Sequence, residues 1–396
     1  MKQKTLSDIL LILLFCIFLL CMVSGLYLTK DADTSFYENR SLAKPPQITF
    51  ESLWDGSFGN KLESFLSDHT TERDSIMKYK AKADIYLLHR PVVNDIVIGD
   101  SILLPFNSYE PADRQDVLRR LSLFTEDIKN INSEVESYGG EFIFVTLPSQ
   151  NLYYSGKYPS YLSNGTDIIL NTVMPAFKKA VSEAGVNYID MYDVTKSLRM
   201  PDYMSSKTDH HYSLKGAVMT WRNVVDAVNA NSNIKMDFPT DGEIEYTEYP
   251  NPYLGSRNRK IIGQKYNDEK LLKANFKNDV PFERFNDGKK SVPVLYIEPE
   301  NDTVPVSYPL YMGGDFGNTV IKTHRDSLPN VLIYGASFTN AIETVAYISC
   351  NEMHSVDMRH YGDMSLLDYV KKNKPDVVVG VFDWSNISDL NDDGKF

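Results

Sequence analysis

At 396 residues and 42% hydrophobic content, the chain is long enough for one large domain or two modest ones. Its 41 basic and 53 acidic residues give a net charge of −12, which argues against nucleic acid or another polyanion as partner. A neutral polymer or a small acyl group suits that balance better.

The first predicted element is an uninterrupted run of apolar and small residues from Ile9 to Leu28. It has about the length that crosses a bilayer core as one helix. Lys2 and Lys4 precede it, which leaves the N-terminus in the cytoplasm and the chain beyond Lys30 outside. A single-pass anchor over residues 1–30 is therefore expected, at the cell membrane, with the domain on the extracytoplasmic side. A cleaved signal peptide ending near Val23 or Gly25 is the alternative. Cys16 and Cys21 lie inside the run, so Cys350 stands alone outside and no intrachain disulfide framework is possible there.

Residues 31–95 read as a juxtamembrane linker followed by helices. A polar stretch from Glu38 ends in the diproline Pro45-Pro46, and helical patterns run through Leu62–Phe65 and Ser75–Leu88. From residue 96 to about 390 the pattern alternates. A long amphipathic helix, Arg114–Tyr138, meets Gly139-Gly140 and then the strand Glu141–Leu147. A second helix, Ile168–Ala184, meets Gly185 and the strand Val186–Asp190. A third helix, Leu214–Val228, has Ser213 as its N-cap. Strand 331–334, a helix from Thr339, strand 353–359, helix 365–373 and strand Asp376–Phe382 complete the series. Repeated helix–Gly–strand units predict an α/β domain with a parallel sheet covered on both faces. Residues 231–330, rich in Tyr, Pro, Asn and Gly, read as an insertion of loops and short strands such as Ser291–Ile297.

Two segments carry chemistry. Lys207-Thr208-Asp209-His210-His211-Tyr212-Ser213 puts a carboxylate two residues before an imidazole, and in an extended segment those two side chains project to one side while His210 points elsewhere. Gly335-Ala336-Ser337-Phe338-Thr339 follows the apolar strand Val331-Leu332-Ile333-Tyr334, so Ser337 sits at a strand's carboxyl end and at a helix start. A hydroxyl becomes a useful nucleophile when a base takes its proton, and a carboxylate fixes the tautomer of that base. Ser337, His211 and Asp209 are thus the candidate catalytic residues. A polar helix-entry loop and a simple N-cap serine are the alternatives. Thr339 stands where an α/β-hydrolase elbow has its second glycine, so that motif is not met.

Thr208-Asp209-His210-His211-Tyr212 resembles the Thr-Asp-x-His-Trp motif of the alginate O-acetylation-type SGNH-hydrolase-like proteins, the DHHW group. Gly335-Ala336-Ser337-Phe338 is similar to their serine block. Glu38-Asn39-Arg40-x-Leu42-Ala43 and Phe65-x-x-Asp68-His69-x-x-x-Arg73-Asp74 resemble their entry signatures, in the same order along residues 36–383. The resemblance implies an SGNH-type three-layer α/β/α sandwich behind one N-terminal transmembrane helix. It implies O-acetyl transfer onto an exported polysaccharide, with Ser337 acylated, His211 the base and Asp209 its support. It implies as partner a polytopic membrane O-acyltransferase that brings acetyl groups across the membrane. Arg359 holds a place where such proteins often carry Arg, for substrate contact or for an ion pair, and Tyr212 and His210 are further candidate substrate contacts. Tyr212 replaces the signature Trp and Ala336 replaces Asp or Thr. No cofactor and no metal is called for: the Asp-His-His string lacks the early Asp-x-Asp motif of a metal phosphoesterase. A secreted esterase or deacetylase with the same triad, and a non-catalytic polysaccharide-binding or assembly protein, stay open. Gln150 and Asn151, after strand 141–147, are read as loop structure rather than oxyanion donors, and Gly313–Asn318 as a turn.

Overall fold

Strands of the alternating region close into one eight-stranded sheet in the structure, a computed structural model that describes residues 7–17, 20, 33–106, 113–198 and 204–388. In chain order these are β1 (Glu141–Leu147), β2 (Asn187–Asp190), β3 (Glu283–Asn286), β4 (Lys289–Ser291), β5 (Asn318–Lys322), β6 (Val331–Gly335), β7 (Glu352–Val356) and β8 (Val377–Asp383). Their order across the sheet is β4-β3-β5-β7-β6-β8-β1-β2. Strands β7, β6, β8, β1 and β2 run parallel, while β5, β3 and β4 extend one edge by antiparallel pairing. The expectation of a parallel sheet is corrected accordingly: the sheet is mixed, and the stretch read as an inserted loop region supplies the three antiparallel strands. Ser291–Ile297 does not form a strand beyond Ser291. Pro293 has no N–H for a ladder. The buried Arg284 guanidinium instead fastens the loop carbonyls of Val294 and Met312 to the sheet.

Both β1 and β8 are buried along their whole length, as strands covered on two faces must be. Val377, Val379 and Val381 pack with α3 (Leu214–Asn231) and α4 (Thr339–Ala346). Val378 and Phe382, on the opposite face, pack with α1 (Arg114–Ser137), α2 (Met174–Glu183) and α5 (Leu366–Asn373). This period-2 division places one apolar core on each side of the sheet. The N-cap of α3 is Ser213, whose hydroxyl accepts the Gly216 N–H at 3.0 Å.

The chain forms two units, one of residues 95–258 with 266–396 and one of residues 1–94 with 259–265. In the latter, the two entry signatures are partners of each other. Arg40 donates to both carboxylate oxygens of Asp68, Ala43 N donates to the same carboxylate at 2.8 Å, and Arg73 pairs with Glu38 at 2.6 Å. The Arg40 hydrogen bonds, outweighing burial, hold the Asp68 carboxyl down at about 2. A depressed carboxyl contributes stability that is present above its unfolded value near 3.8 and lost as pH falls toward 2. Arg40 is partly exposed, so Asp68→Asn is expected to cost about 1–2 kcal/mol at pH 6. Thermal unfolding should show that difference shrinking below pH 4.

Among the described residues no helix is long and apolar enough to cross a membrane. The expected span Ile9–Leu28 is helical where described, at residues 9–17 and 20; its remainder lies outside the described residues.

Candidate active site

The site lies at the carboxyl edge of the parallel strands, where open α/β sheets bind ligands. Strand β6 ends at Gly335, and a Cβ there would stand 2.3 Å from the Val381 carbonyl of β8, so glycine lets the two strands meet. The chain then turns through Ala336-Ser337-Phe338, with Thr339 N donating to Ala336 O at 2.9 Å, and α4 begins. Ser337 is half-buried on this turn.

The facing loop is tied at both ends. Ser213 N donates to Met204 O at 2.8 Å and Ser206 N to His211 O at 3.2 Å. Inside it, the Ser206 hydroxyl accepts from Asp209 N at 3.0 Å. The Glu269 carboxylate accepts from Ser206 Oγ at 2.8 Å, from Lys207 N and Thr208 N at 2.9 Å each, and from Thr208 Oγ1. Burial pushes the Glu269 carboxyl up even against those donors.

On that loop Asp209 is fully buried and uses both oxygens. Oδ1 accepts from His211 Nδ1 at 2.7 Å and from His211 N at 3.0 Å, and Oδ2 accepts from Ser256 N at 2.7 Å. Burial alone would raise this carboxyl, but the charges and hydrogen bonds of His211 and His210 hold it well below the usual range. The other nitrogen of the ring, His211 Nε2, lies 2.8 Å from Ser337 Oγ. With Nδ1–H on the carboxylate, Nε2 is the acceptor for the serine proton. The Tyr308 ring stacks on the imidazole at 3.6 Å and 5°, which fixes its plane.

The structure thus brings Ser337, His211 and Asp209 together, and it places the remaining candidates differently. The segment turns rather than extends, so His210 does not point away. Its ring lies 3.7 Å from that of His211, half-exposed, with Nδ1 2.7 Å from Ser256 Oγ. Tyr212 is buried, and its hydroxyl donates to Phe338 O at 2.7 Å, pinning the serine turn instead of meeting a ligand. Arg359 closes on Asp357 at 2.5 Å and on Asp315 at 3.0 Å. Asp315, from the Gly313–Asn318 turn, also accepts from Asn340 Nδ2 at 2.8 Å in the first turn of α4. Gln150 donates to Leu103 O and Ser206 O and accepts from Arg257 Nε, while Asn151 donates to Asn164 O; both are structural. Asp209, His210 and His211 offer three donor atoms within 4.8 Å of one another. A carboxylate already holding N–H donors on both oxygens, and an imidazole bonded at both nitrogens, form a geometry for proton transfer rather than for a cation.

Sequence reasoning missed Gly255, Ser256, Glu269 and Tyr308. All four lie in the stretch read as an insertion, and their neighbours give no motif. Gly255 matters most: a Cβ there would stand 2.4 Å from Thr208 O and 2.8 Å from Asp209 N. Only glycine lets this segment press close enough for Ser256 N to reach Asp209.

Fold and site together define an α/β protein with a hydroxyl, an imidazole and a carboxylate in line at the carboxyl edge of its sheet. Solved structures of Bacillus cereus PatB1 are similar. The first has a TM-score of 0.59 at 21% identity, over 74% of this chain and 97% of that one. A second, with a sulfonyl adduct, has a TM-score of 0.57 at 20% identity, over 74% and 98%. A DHHW family protein from Eubacterium siraeum is similar at a TM-score of 0.54 and 16% identity, over 76% and 94%. The motif resemblance to the DHHW group is thus met in the fold. No protein-family model and no curated protein matches the chain.

Proposed function

We propose that the chain is an extracytoplasmic O-acetyltransferase that acetylates an exported polysaccharide through Ser337, His211 and Asp209. The observation that carries this reading is the unbroken line from Asp209 Oδ1 to His211 at 2.7 Å and from His211 to Ser337 Oγ at 2.8 Å. Ser337 Oγ attacks the acetyl carbonyl carbon of the donor as its proton passes to His211 Nε2, and the leaving group departs with that proton. A sugar hydroxyl then gives its proton to Nε2 and attacks the acetyl-serine, which releases the acetylated sugar and restores Ser337. Asp209 keeps Nδ1 protonated and stabilises the transient imidazolium. The partial positive charge at the start of α4 favours the oxyanion formed beside it.

His210, half-exposed beside the reacting imidazole, is assigned to contact with the acceptor. Arg359 shapes the same edge through Asp315 and Asn340. The apolar run Ile9–Leu28 serves as anchor, so that the domain meets a polytopic membrane O-acyltransferase that supplies acetyl groups; tethering raises the local concentration of the two.

The test of transfer is to give the purified chain p-nitrophenyl acetate with candidate oligosaccharides and to follow both products by mass. Acetylated oligosaccharide, formed at the expense of free acetate, is the expected result. Acetate alone, whatever the acceptor, would make the protein an esterase. Gly255→Ala, which forces Thr208 and Asp209 away from Ser256, is expected to lower turnover by about 10- to 100-fold with little change in KM. Steady-state kinetics checks this.

A further inference from the structure

The helix Phe50–Trp54 has its polarity reversed. Its only buried residue is Ser52, while Phe50 is 83%, Leu53 57% and Trp54 85% exposed; Ile48, just ahead, is 72% exposed. A helix that faces water presents the opposite pattern. Nor is this a loose end. Thr49 and Ser52 form a reciprocal capping box with both bonds at 3.1 Å, and the Ser52 hydroxyl donates to Thr49 O at 3.0 Å. The serine that would ordinarily face solvent is spent on fixing the helix. The rings of Phe50 and Trp54 stack at 6.3 Å and 12°, so the outward apolar face is preformed. A contiguous exposed apolar face of this kind marks a binding surface.

Its position along the chain selects the occupant. The apolar run ends at Leu28, twenty positions before Ile48, a reach of about 70 Å at most when extended. On the reading that this run is an anchor, the face is held within reach of the bilayer on every molecule. The flanking exposed charges Lys44, Lys61, Glu51 and Asp55 cancel, so attraction to anionic headgroups does not drive docking. Aromatic side chains with one apolar body are the type that settles at the membrane–water boundary. We infer that Ile48, Phe50, Leu53 and Trp54 form a foot that seats in the interfacial layer of the membrane.

The chain's tryptophans make this measurable. Of the three, Trp221 and Trp384 are fully buried, so Trp54 alone meets solvent or lipid. The full-length chain is reconstituted with phosphatidylcholine vesicles, some carrying brominated acyl chains, and floated on a density gradient. Flotation reports the anchor; quenching of Trp54 reports the foot. The expected result is a floating chain quenched by brominated lipid and shielded from acrylamide. Trp54→Phe should abolish the lipid quenching, and the double change Phe50→Ser with Leu53→Ser should weaken it by about twofold or more, both chains still floating. A floating chain whose Trp54 is quenched by acrylamide and not by brominated lipid would overturn the foot and leave the anchor standing. A chain that does not float would overturn both.

Discussion

Replacing Ser337 by alanine is expected to lower turnover of an activated acetyl ester by roughly 10³- to 10⁶-fold. The residue supplies the bond-forming oxygen, and among the described residues no other hydroxyl accompanies it on His211 Nε2. His211→Ala should fall nearly as far, and the double variant no further, because the two act as one unit. Asp209→Asn should lose about 10⁴-fold, since an amide that donates toward Nδ1 would turn the imidazole to the wrong tautomer. The unfolding midpoint of Ser337→Ala should stay close to the parent's, since Ser337 is only half-buried. If Ser337→Ala kept parental turnover, acyl transfer through this residue would be excluded.

Removing the Glu269 carboxylate is the second large effect. Glu269→Ala strands two backbone N–H groups and two hydroxyls of Ser206–Thr208 that the carboxylate now satisfies. Each buried donor without an acceptor costs about 1–3 kcal/mol, and water recovers some of it, so a loss of about 2–4 kcal/mol is expected in denaturant unfolding. The same loop carries Asp209 and His211, so turnover should drop at least about 100-fold at temperatures where the variant is still folded. Glu269→Gln keeps one acceptor oxygen and should fall between. An unchanged midpoint with unchanged turnover would show that the ties from Ser206 and Ser256 hold the loop alone.

The parts of this molecule that were legible in the sequence are those whose physics is local. Strand β1, after Gly139-Gly140, carries five apolar residues in seven, Phe142–Val145 and Leu147, a density that burial on both faces requires. Ser213 announces α3 because capping needs a short side chain with an acceptor oxygen next to the first turn. Asp209 and His211 were legible because their bond spans two residues. Ser337 was found by its own strand and turn, although it meets His211 from 126 residues away. What failed depends on contacts distant in sequence. Strands β3 and β5 are short and partly polar, and they are strands because β7 offers β5 an edge and β5 in turn offers one to β3. Glu269, 61 residues from Thr208, looks like any loop glutamate until the chain folds over it. Tyr212 stands where the related motif has Trp, yet its hydroxyl reaches back to Phe338 O, a use that its motif position does not reveal. His210 was expected to face away, but Ser256 takes its ring on the same side as His211.

The most direct test of the central claim is intact-mass analysis of the purified chain after brief exposure to p-nitrophenyl acetate, followed by peptide mapping. One acetyl group on the peptide carrying Ser337, absent from Ser337→Ala and slow to form in His211→Ala, is the predicted result. No adduct on the parent chain, or an adduct that persists in Ser337→Ala, would contradict it.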